Sequence, residues 1–425
     1  MAKRTRKLAR GVSVIGGAMS QFGTFPEKNS RDLMAEAYCE ALASVDKRLD
    51  PRDIEALYLG NFCADLFERQ SHLGHLVADW LGLTPCPATR VEGACASSGL
   101  AFREGVLAIA SGLHDLVLVG GVEKMTSAST QDVQDFLAIA ADVPMEFDQA
   151  RLTFPGIFAA IASAYMARHG ATREHLMRVA VKNHVNGALN PKAQFNRTLR
   201  DIMEQRKAKA AEKGGPVPAW SDEFDFLRDD TVNPPVADPL HLFDCSPITD
   251  GAACLILAAE DVAARYSDTI VRVAATAASS AGPATSADTD MTCLPAAQHA
   301  AALAYEMAGV APQDIDLAEV HDCFTIAEIL AIEDLSFFKP GQGAAAVMDC
   351  QTSAAGPRPI NISGGLKAKG HPVGATGAAQ LQEVWHQLRG TAGPRQIKHK
   401  ELRLGLTHNV GGTGGTCVVH ILERT

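Results

Sequence analysis

Pro51-Arg-Asp-Ile-Glu-Ala-Leu-Tyr-Leu-Gly-Asn61 is answered much later in the chain by Pro312-Gln-Asp-Ile-Asp-Leu-Ala-Glu-Val-His-Asp322. Each stretch opens with a Pro and an Asp suited to a helical first turn. Each then runs through strand-type residues and ends on a polar side chain. A second pair keeps the same order: the glycine-closed apolar runs that end at Gly120-Gly121 and at Gly411-Gly412. Chance gives one such match more readily than two in register, so the chain reads as two copies of one α/β unit. The run Asp115–Gly121 (DLVLVGG) is apolar without alternation, as a strand covered on both faces must be.

Working outward, strands and helices alternate. Val12–Ile15, Ile54–Phe62, an extended piece ending at Cys95, Ile270–Ala277, Ile315–Val320, Ile360–Ser363, Leu402–Thr407 and Thr416–Leu422 read as strands. Helices are expected over 31–46, 71–82, 97–111, 295–308, 325–337 and 375–389. Such alternation implies a parallel or mixed sheet covered by helices. The segment 127–240 breaks the pattern. It holds a helical stretch from Phe158 to His169 and a basic run from Arg197 to Lys213, and it reads as a loop domain inserted into the first copy.

Composition narrows the function. At 425 residues the chain exceeds what one hydrophobic core serves. A net charge of −10 removes the basic face that nucleic-acid binding needs. Ten cysteines with no CxxC pair resemble neither a disulfide scaffold nor a structural zinc site, so a reducing, cytoplasmic setting is expected. The basic start (Lys3, Arg4, Arg6, Lys7, Arg10) is followed by an apolar stretch too short and glycine-broken for a signal peptide. No stretch is apolar over a membrane-spanning length.

Four places could carry chemistry. Cys95, in Val91-Glu-Gly-Ala-Cys-Ala-Ser-Ser-Gly-Leu100, sits at a strand-to-helix turn among small residues. A helix N-terminus behind it favours the nucleophilic thiolate. His371 lies in Gly364-Gly-Leu-Lys-Ala-Lys-Gly-His-Pro-Val-Gly-Ala-Thr-Gly377, a glycine-rich bend that matches no nucleotide-binding spacing and frames a base or hydrogen-bond donor. His321-Asp322-Cys323-Phe324 ends the repeated strand, and on an extended strand His321 and Cys323 share a face. Thr407-His-Asn-Val-Gly-Gly-Thr-Gly-Gly-Thr416 is a strand and glycine loop able to form either an oxyanion hole or a plain hairpin. A metal held by Cys95, His321, Cys323 and His371 is the competing chemistry; the spacing fits no structural zinc pattern, and no metal is expected.

Together Cys95 in GACASS, the GHPVGATG string and the glycine-rich C-terminal strand resemble the thiolase family along essentially the whole chain. The HDCF string is similar to that of the sterol-carrier-protein type. Most thiolases place a second cysteine where this chain has Asn409, so the resemblance makes Cys323 the second cysteine here. It implies the thiolase fold: two βαβαβαββ core domains in an αβαβα five-layered arrangement with an inserted loop domain. The corresponding boundaries are 1–126 and 241–266 for the first core domain, 127–240 for the loop domain and 267–425 for the second core domain.

The implied activity is cleavage of a 3-ketoacyl-CoA by CoA, or the reverse Claisen condensation, through an acyl-cysteine. Cys95 is the nucleophile, His371 its base, Cys323 the acid or base at the α-carbon, and His321 a donor to the thioester oxygen through water. The N–H groups of Cys95 and Gly411, with His371, would form oxyanion holes. Ser246 would contact the pantetheine arm, and Ile157 and Phe158 would shape the acyl pocket. Coenzyme A and acyl-CoA are substrates and no cofactor is needed. A homodimer or tetramer is expected. A ketosynthase-like condensing enzyme, which would not need Cys323, and a non-catalytic acyl-CoA binder are the alternatives.

Overall fold

The computed structural model describes residues 7–149, 153–282 and 290–425; Lys3, Arg4 and Arg6 of the basic start lie outside them. Eleven strands are present among the described residues: β1 Val12–Met19, β2 Ala56–Gly60, β3 Ala88–Val91, β4 Leu116–Glu123, β5 Pro235–Ala237, β6 Leu240–His241, β7 Gly251–Ala259, β8 Val271–Ser280, β9 Leu317–Glu319, β10 Leu404–Gly411 and β11 Thr416–Arg424. β5 and β6 pair only with each other, and the other nine run in the order β3-β2-β4-β7-β1-β8-β11-β10-β9.

This order is a duplication. In the first half β2 is parallel to β3 and β4, and β7 is antiparallel to β4 and β1. In the second half β9 is parallel to β10, and β11 is antiparallel to β10 and β8. A single parallel bridge from Ala318 to Ile360 stands where β3 would be. The expected Ile360–Ser363 strand is reduced to that bridge. The halves meet edge to edge through Ser13–Arg272 and Val14–Val271. The repeated sequence stretches fall on β2 and β9, each after a short 3-10 turn, Pro51–Asp53 and Pro312–Asp314.

Helices supply the remaining layers. Ser30–Ala43 and Leu73–Trp80 cover the outside of the first half, and Pro295–Ala308 and Thr325–Asp334 lie outside the second. Ser97–Ala110 and Thr376–Arg389 pack against strands of both halves and against each other, which completes an αβαβα stack. They touch at their first turns, where a Cβ on Gly377 would lie 2.5 Å from the Gly99 nitrogen. Only glycine permits that approach.

β7 and the helix Arg173–Ala188 are absent from the sequence reading. β7 (GAACLILAA) is buried at every position and rich in alanine, so it carries neither alternation nor β-branched bias. Between β4 and β7, Met177, Leu199, Met203, Trp220, Phe226 and Leu227 form a small apolar cluster of their own. The basic run forms the helix Leu199–Glu212 beside it. Its cations are largely engaged: Arg200 with Glu223, Lys207 with Glu204, and Arg206 over the Phe226 ring. No helix among the described residues is long and apolar enough to cross a membrane.

Candidate active site

Cys95 stands on a sharp turn. β3 ends at Val91, and Ala94 takes a left-handed φ of 51°, rare for a residue with a Cβ. A 3-10 turn Ala94–Ala96 then feeds the helix that starts at Ser97. Such strain costs about 1–3 kcal/mol and persists only where neighbours enforce it. Here the Ala94 N–H donates to Glu92 Oε1 at 2.5 Å, the Gly93 N–H donates to Ser97 Oγ at 3.0 Å, and Ser97 Oγ donates to the Ala94 carbonyl at 2.6 Å. The half-buried thiol is pushed up to about 12 by desolvation; the N–H groups of Gly412 and of Cys95 itself, directed at the sulfur, pull the other way.

The N–H directed at the resting sulfur is thus that of Gly412, one residue beyond Gly411. Gly411 is still in the ladder, opposite Thr416, and a Cβ on it would lie 2.2 Å from the Gly93 carbonyl. The chain leaves the ladder at Gly412, φ 62°, and the N–H of Gly412 itself is directed at the sulfur.

His371 is fixed from two sides. Its N–H donates to Thr249 Oγ1 at 3.0 Å, and its Nδ1 lies 2.7 Å from Thr376 Oγ1. The Thr376 hydroxyl spends its one proton on the Pro372 carbonyl at 3.1 Å. With the Thr376 hydroxyl proton on the Pro372 carbonyl, His371 is the donor through Nδ1–H and presents a bare Nε2 as an acceptor, the arrangement on which the role of base depends. Burial, with Lys369 nearby, lowers its basicity to about 3, so the ring is neutral at pH 7.

His321 and Cys323 lie beyond β9, whose last residue is Glu319, in the turn that leads to the helix Thr325–Asp334. The strand expected to carry them stops earlier because that turn is fastened to other loops. Asp322 accepts the Leu366 N–H at 2.6 Å, the Asn183 Nδ2 at 2.7 Å and the Lys367 N–H at 3.3 Å. Asp322 thus locks the His321 turn to the loop that carries His371; burial, with Glu328 close by, raises its carboxyl to about 7. His321 is held well below the ordinary histidine range by burial, then by the His371 and His408 rings. Burial also drives the Cys323 thiol well up, and the neighbouring Cys95 and Asp322 add to it.

These pieces converge. The Cys95 sulfur and one ring nitrogen each of His321 and His371 lie within 4.8 Å of one another, and the two rings meet edge to face at 5.2 Å. Ser246, half-buried, donates its backbone N–H to the Cys323 carbonyl at 2.9 Å. Phe158 stacks on Phe324 at 4.6 Å, next to Cys323, and with Ile157 it is buried in the second half's core. A cavity of about 550 Å³ opens beside the Cys95 turn, lined by Phe62, Cys63, Glu92, Gly93, Ala94 and Gly411 among others. Ile157, Phe158 and Ser246 do not line it. Thr376 and Thr249 have positions in the site that the sequence reading did not give them, and Asn409, placed there only as the residue standing where most thiolases have a cysteine, gains contacts of its own. For Thr376 a signal existed: it follows His371 by a single helical entry turn.

Residues 12–261 match the thiolase N-terminal domain and residues 277–424 the thiolase C-terminal domain-like family model. The chain belongs to the thiolase family. It is 46% identical to the acetyl-CoA acetyltransferase of Methanothermobacter thermautotrophicus, over 98% of this chain and 100% of that one. It is 38% identical to that of Methanocaldococcus jannaschii, over 97% and 99%. Human sterol carrier protein 2 is 31% identical over 97% of this chain and 72% of its own. Among solved structures, the Ltp2-ChsH2(DUF35) aldolase superposes with a TM-score of 0.77 at 23% identity, each chain covered to 98%. Human mitochondrial 3-ketoacyl-CoA thiolase in complex with CoA gives 0.69 at 19%, over 98% of this chain and 99% of that one. The structures speak for the thiolase fold, and the whole-chain relatives make this thiolase an acyltransferase.

Proposed function

We propose that this thiolase exchanges a short acyl group between coenzyme A and a carbon nucleophile, cleaving a 3-ketoacyl-CoA with CoA or running the reverse condensation. The observation that carries the reading is the Cys95 sulfur within 4.8 Å of two neutral, buried imidazoles. In the cleavage direction the Cys95 thiol gives its proton to the bare Nε2 of His371 as the sulfur attacks the keto carbon. The carbon–carbon bond then breaks, and the leaving carbanion takes a proton from Cys323 and departs as acetyl-CoA. The site now holds a Cys323 thiolate and a His371 imidazolium, equal and opposite. Incoming CoA gives its thiol proton to Cys323 and attacks the acyl group; Cys95 leaves and recovers its proton from His371. Positioned acid–base groups of this kind contribute about 10²–10⁴ in rate. The N–H groups of Cys95 and Gly412 lie beside the sulfur, where the oxyanion of the adduct forms.

An acetyl or similarly short acyl group is favoured by the Phe158–Phe324 stack, which fills space next to Cys323, with Ile157 buried in the same core. The acetyltransferase relatives support the same choice. Among the described residues β3 pairs only with β2, so a second copy covering that edge suits a homodimer. Incubation with acetyl-CoA should add one acetyl mass to the peptide that contains Cys95, and Cys95→Ala should neither label nor turn over. Labelling elsewhere, with Cys95→Ala still active, overturns the mechanism. A series of 3-ketoacyl-CoA chain lengths with CoA, followed by mass spectrometry of the thioester products, tests the acyl preference.

A further inference from the structure

Asn409 lies between the nucleophile loop and His321 and is wholly buried. Its Nδ2 donates to the Cys95 carbonyl at 2.9 Å and lies 3.3 Å from His321 Nδ1. The way round of this amide follows from its surroundings. A carbonyl can only accept, so the atom facing the Cys95 oxygen must be nitrogen. The Asn409 oxygen lies on the opposite side, over the first turns of both central helices. It has no hydrogen-bond partner there among the described residues, and a Cβ added to Gly377 or Gly99 would come within 2.4 or 2.8 Å of it. Helix N-termini carry a partial positive charge, so the negative end of the amide is favoured at that place. With Nδ2 so fixed, His321 Nδ1 faces a donor and must itself be bare. Its proton is then on Nε2.

We infer that Asn409 is a positioning residue that fixes His321 as the Nε2–H tautomer, making it a hydrogen-bond donor to the substrate oxygen rather than a second base. The inference rests on the proposed acyl-transfer reading for its consequence, but the tautomer itself does not depend on it. The two histidines of the site then carry their protons on opposite ring nitrogens. His371, donating through Nδ1 to Thr376, presents an acceptor; His321, accepting at Nδ1 from Asn409, presents a donor. Two chemically identical rings are thereby given different tasks: one removes a proton from sulfur, the other stabilises negative charge on an oxygen. The last glycines of GACASSG and GHPVGATG, Gly99 and Gly377, acquire a reason as well, since the Asn409 amide oxygen occupies the space their side chains would need.

The test uses the full-length enzyme labelled with ¹⁵N-histidine, His321→Asn to assign the resonance, and the variant Asn409→Ala. In the wild type the long-range ¹H–¹⁵N spectrum should show His321 with a bare Nδ1 and a protonated Nε2. In Asn409→Ala that pattern should be lost, Cys95 should still be acetylated by acetyl-CoA, and exchange of the acetyl-CoA methyl protons with deuterated water should slow roughly a hundredfold, as for a misplaced catalytic group. A protonated Nδ1 in the wild type overturns the inference whatever the variant does, as does an Asn409→Ala enzyme that keeps both the tautomer and the exchange rate. Failure of the wild type to acetylate Cys95 instead rejects the acyl-transfer reading and leaves the tautomer result standing.

Discussion

Replacing Thr376 by valine removes one oxygen and little volume, and it tests whether His371 is a base because of its tautomer. That oxygen lies 2.7 Å from His371 Nδ1 and gives its own proton to the Pro372 carbonyl. In Thr376→Val the Nδ1–H is left in a buried place without a partner, at a cost of about 1–3 kcal/mol. The ring can escape by moving its proton to Nε2, but it then has no acceptor to offer Cys95. Either course removes about 2 kcal/mol from the proton transfer, which is roughly a thirtyfold slower acylation. Thr376→Ser keeps the hydroxyl and should stay within about threefold of wild type. Rapid mixing with acetyl-CoA, reading the first-turnover release of CoA, measures the step directly. Acylation of Thr376→Val at the wild-type rate, or a serine variant as slow as the valine one, refutes the tautomer argument.

Cys323→Ala should still acquire an acetyl group on Cys95 but should not exchange the methyl protons of acetyl-CoA with deuterated water; normal exchange would place the α-carbon acid and base elsewhere. Gly377→Ala would gain helix propensity, yet its Cβ would lie 2.4 Å from Asn409 Oδ1 and 2.5 Å from the Gly99 nitrogen. A net loss of about 1–3 kcal/mol in urea unfolding is expected from overpacking, and a gain would mean that the helices can part. Stability should also depend on pH with a definite sign. Burial holds His184, His371 and His420 down to about 3, His408 to about 4 and His321 well below its usual range. The unfolded chain takes up these protons below about pH 6.5, so this contribution is complete above that point and is lost as pH falls toward the folded values. Glu123, Asp322 and Asp334, raised to about 7 mainly by burial, act oppositely. Their contribution is complete below about pH 4 and is lost as pH rises through 7. The two sets offset between about pH 4 and 6.5, and below about pH 4 the histidines act alone. Urea midpoints should therefore drop steeply below that point, and a midpoint no lower at pH 3.5 than at pH 6 would contradict the burial of these rings.

The duplication was legible because β2 and β9 keep the same local needs: a capped turn, an apolar ladder and a polar end facing the centre. Cys95 and His371 were legible because both occupy glycine-lined turns, where sequence restricts backbone directly. What escaped depends on contacts between distant segments. β7 is covered on both faces, so its composition has no periodicity to betray it. Asn409 gains its position only when the halves meet, since its partners, Cys95 and His321, lie far from it in the chain. That the N–H directed at the resting sulfur is Gly412's is a matter of where a ladder ends, and glycines on both sides of that point make the sequence silent about it. The pairing of Arg200 was likewise hidden, because its partner, Glu223, comes from the next helix.

A repeated unit would ordinarily produce two equivalent half-sites, and the two central turns show why this one does not. Cys95 is the middle residue of the turn Ala94–Ala96, and Gly374 is the middle residue of the corresponding turn Val373–Ala375; each turn feeds a central helix. Gly374 has no room to become a second nucleophile. Its N–H donates to Glu123 Oε2 at 3.0 Å, and a Cβ on it would fall 2.6 Å from both that oxygen and the Val122 carbonyl. The second copy instead places its polar groups before the turn, as His371, and after its repeated strand, as His321 and Cys323. Both helices still direct their N-terminal ends inward, and that positive potential opposes the desolvation that keeps the resting thiol protonated. On the proposed mechanism one copy supplies the sulfur and the other supplies the acid–base groups that act on it and on the substrate. Fusion in one chain fixes their separation, which is why an asymmetric site can persist in a symmetric frame.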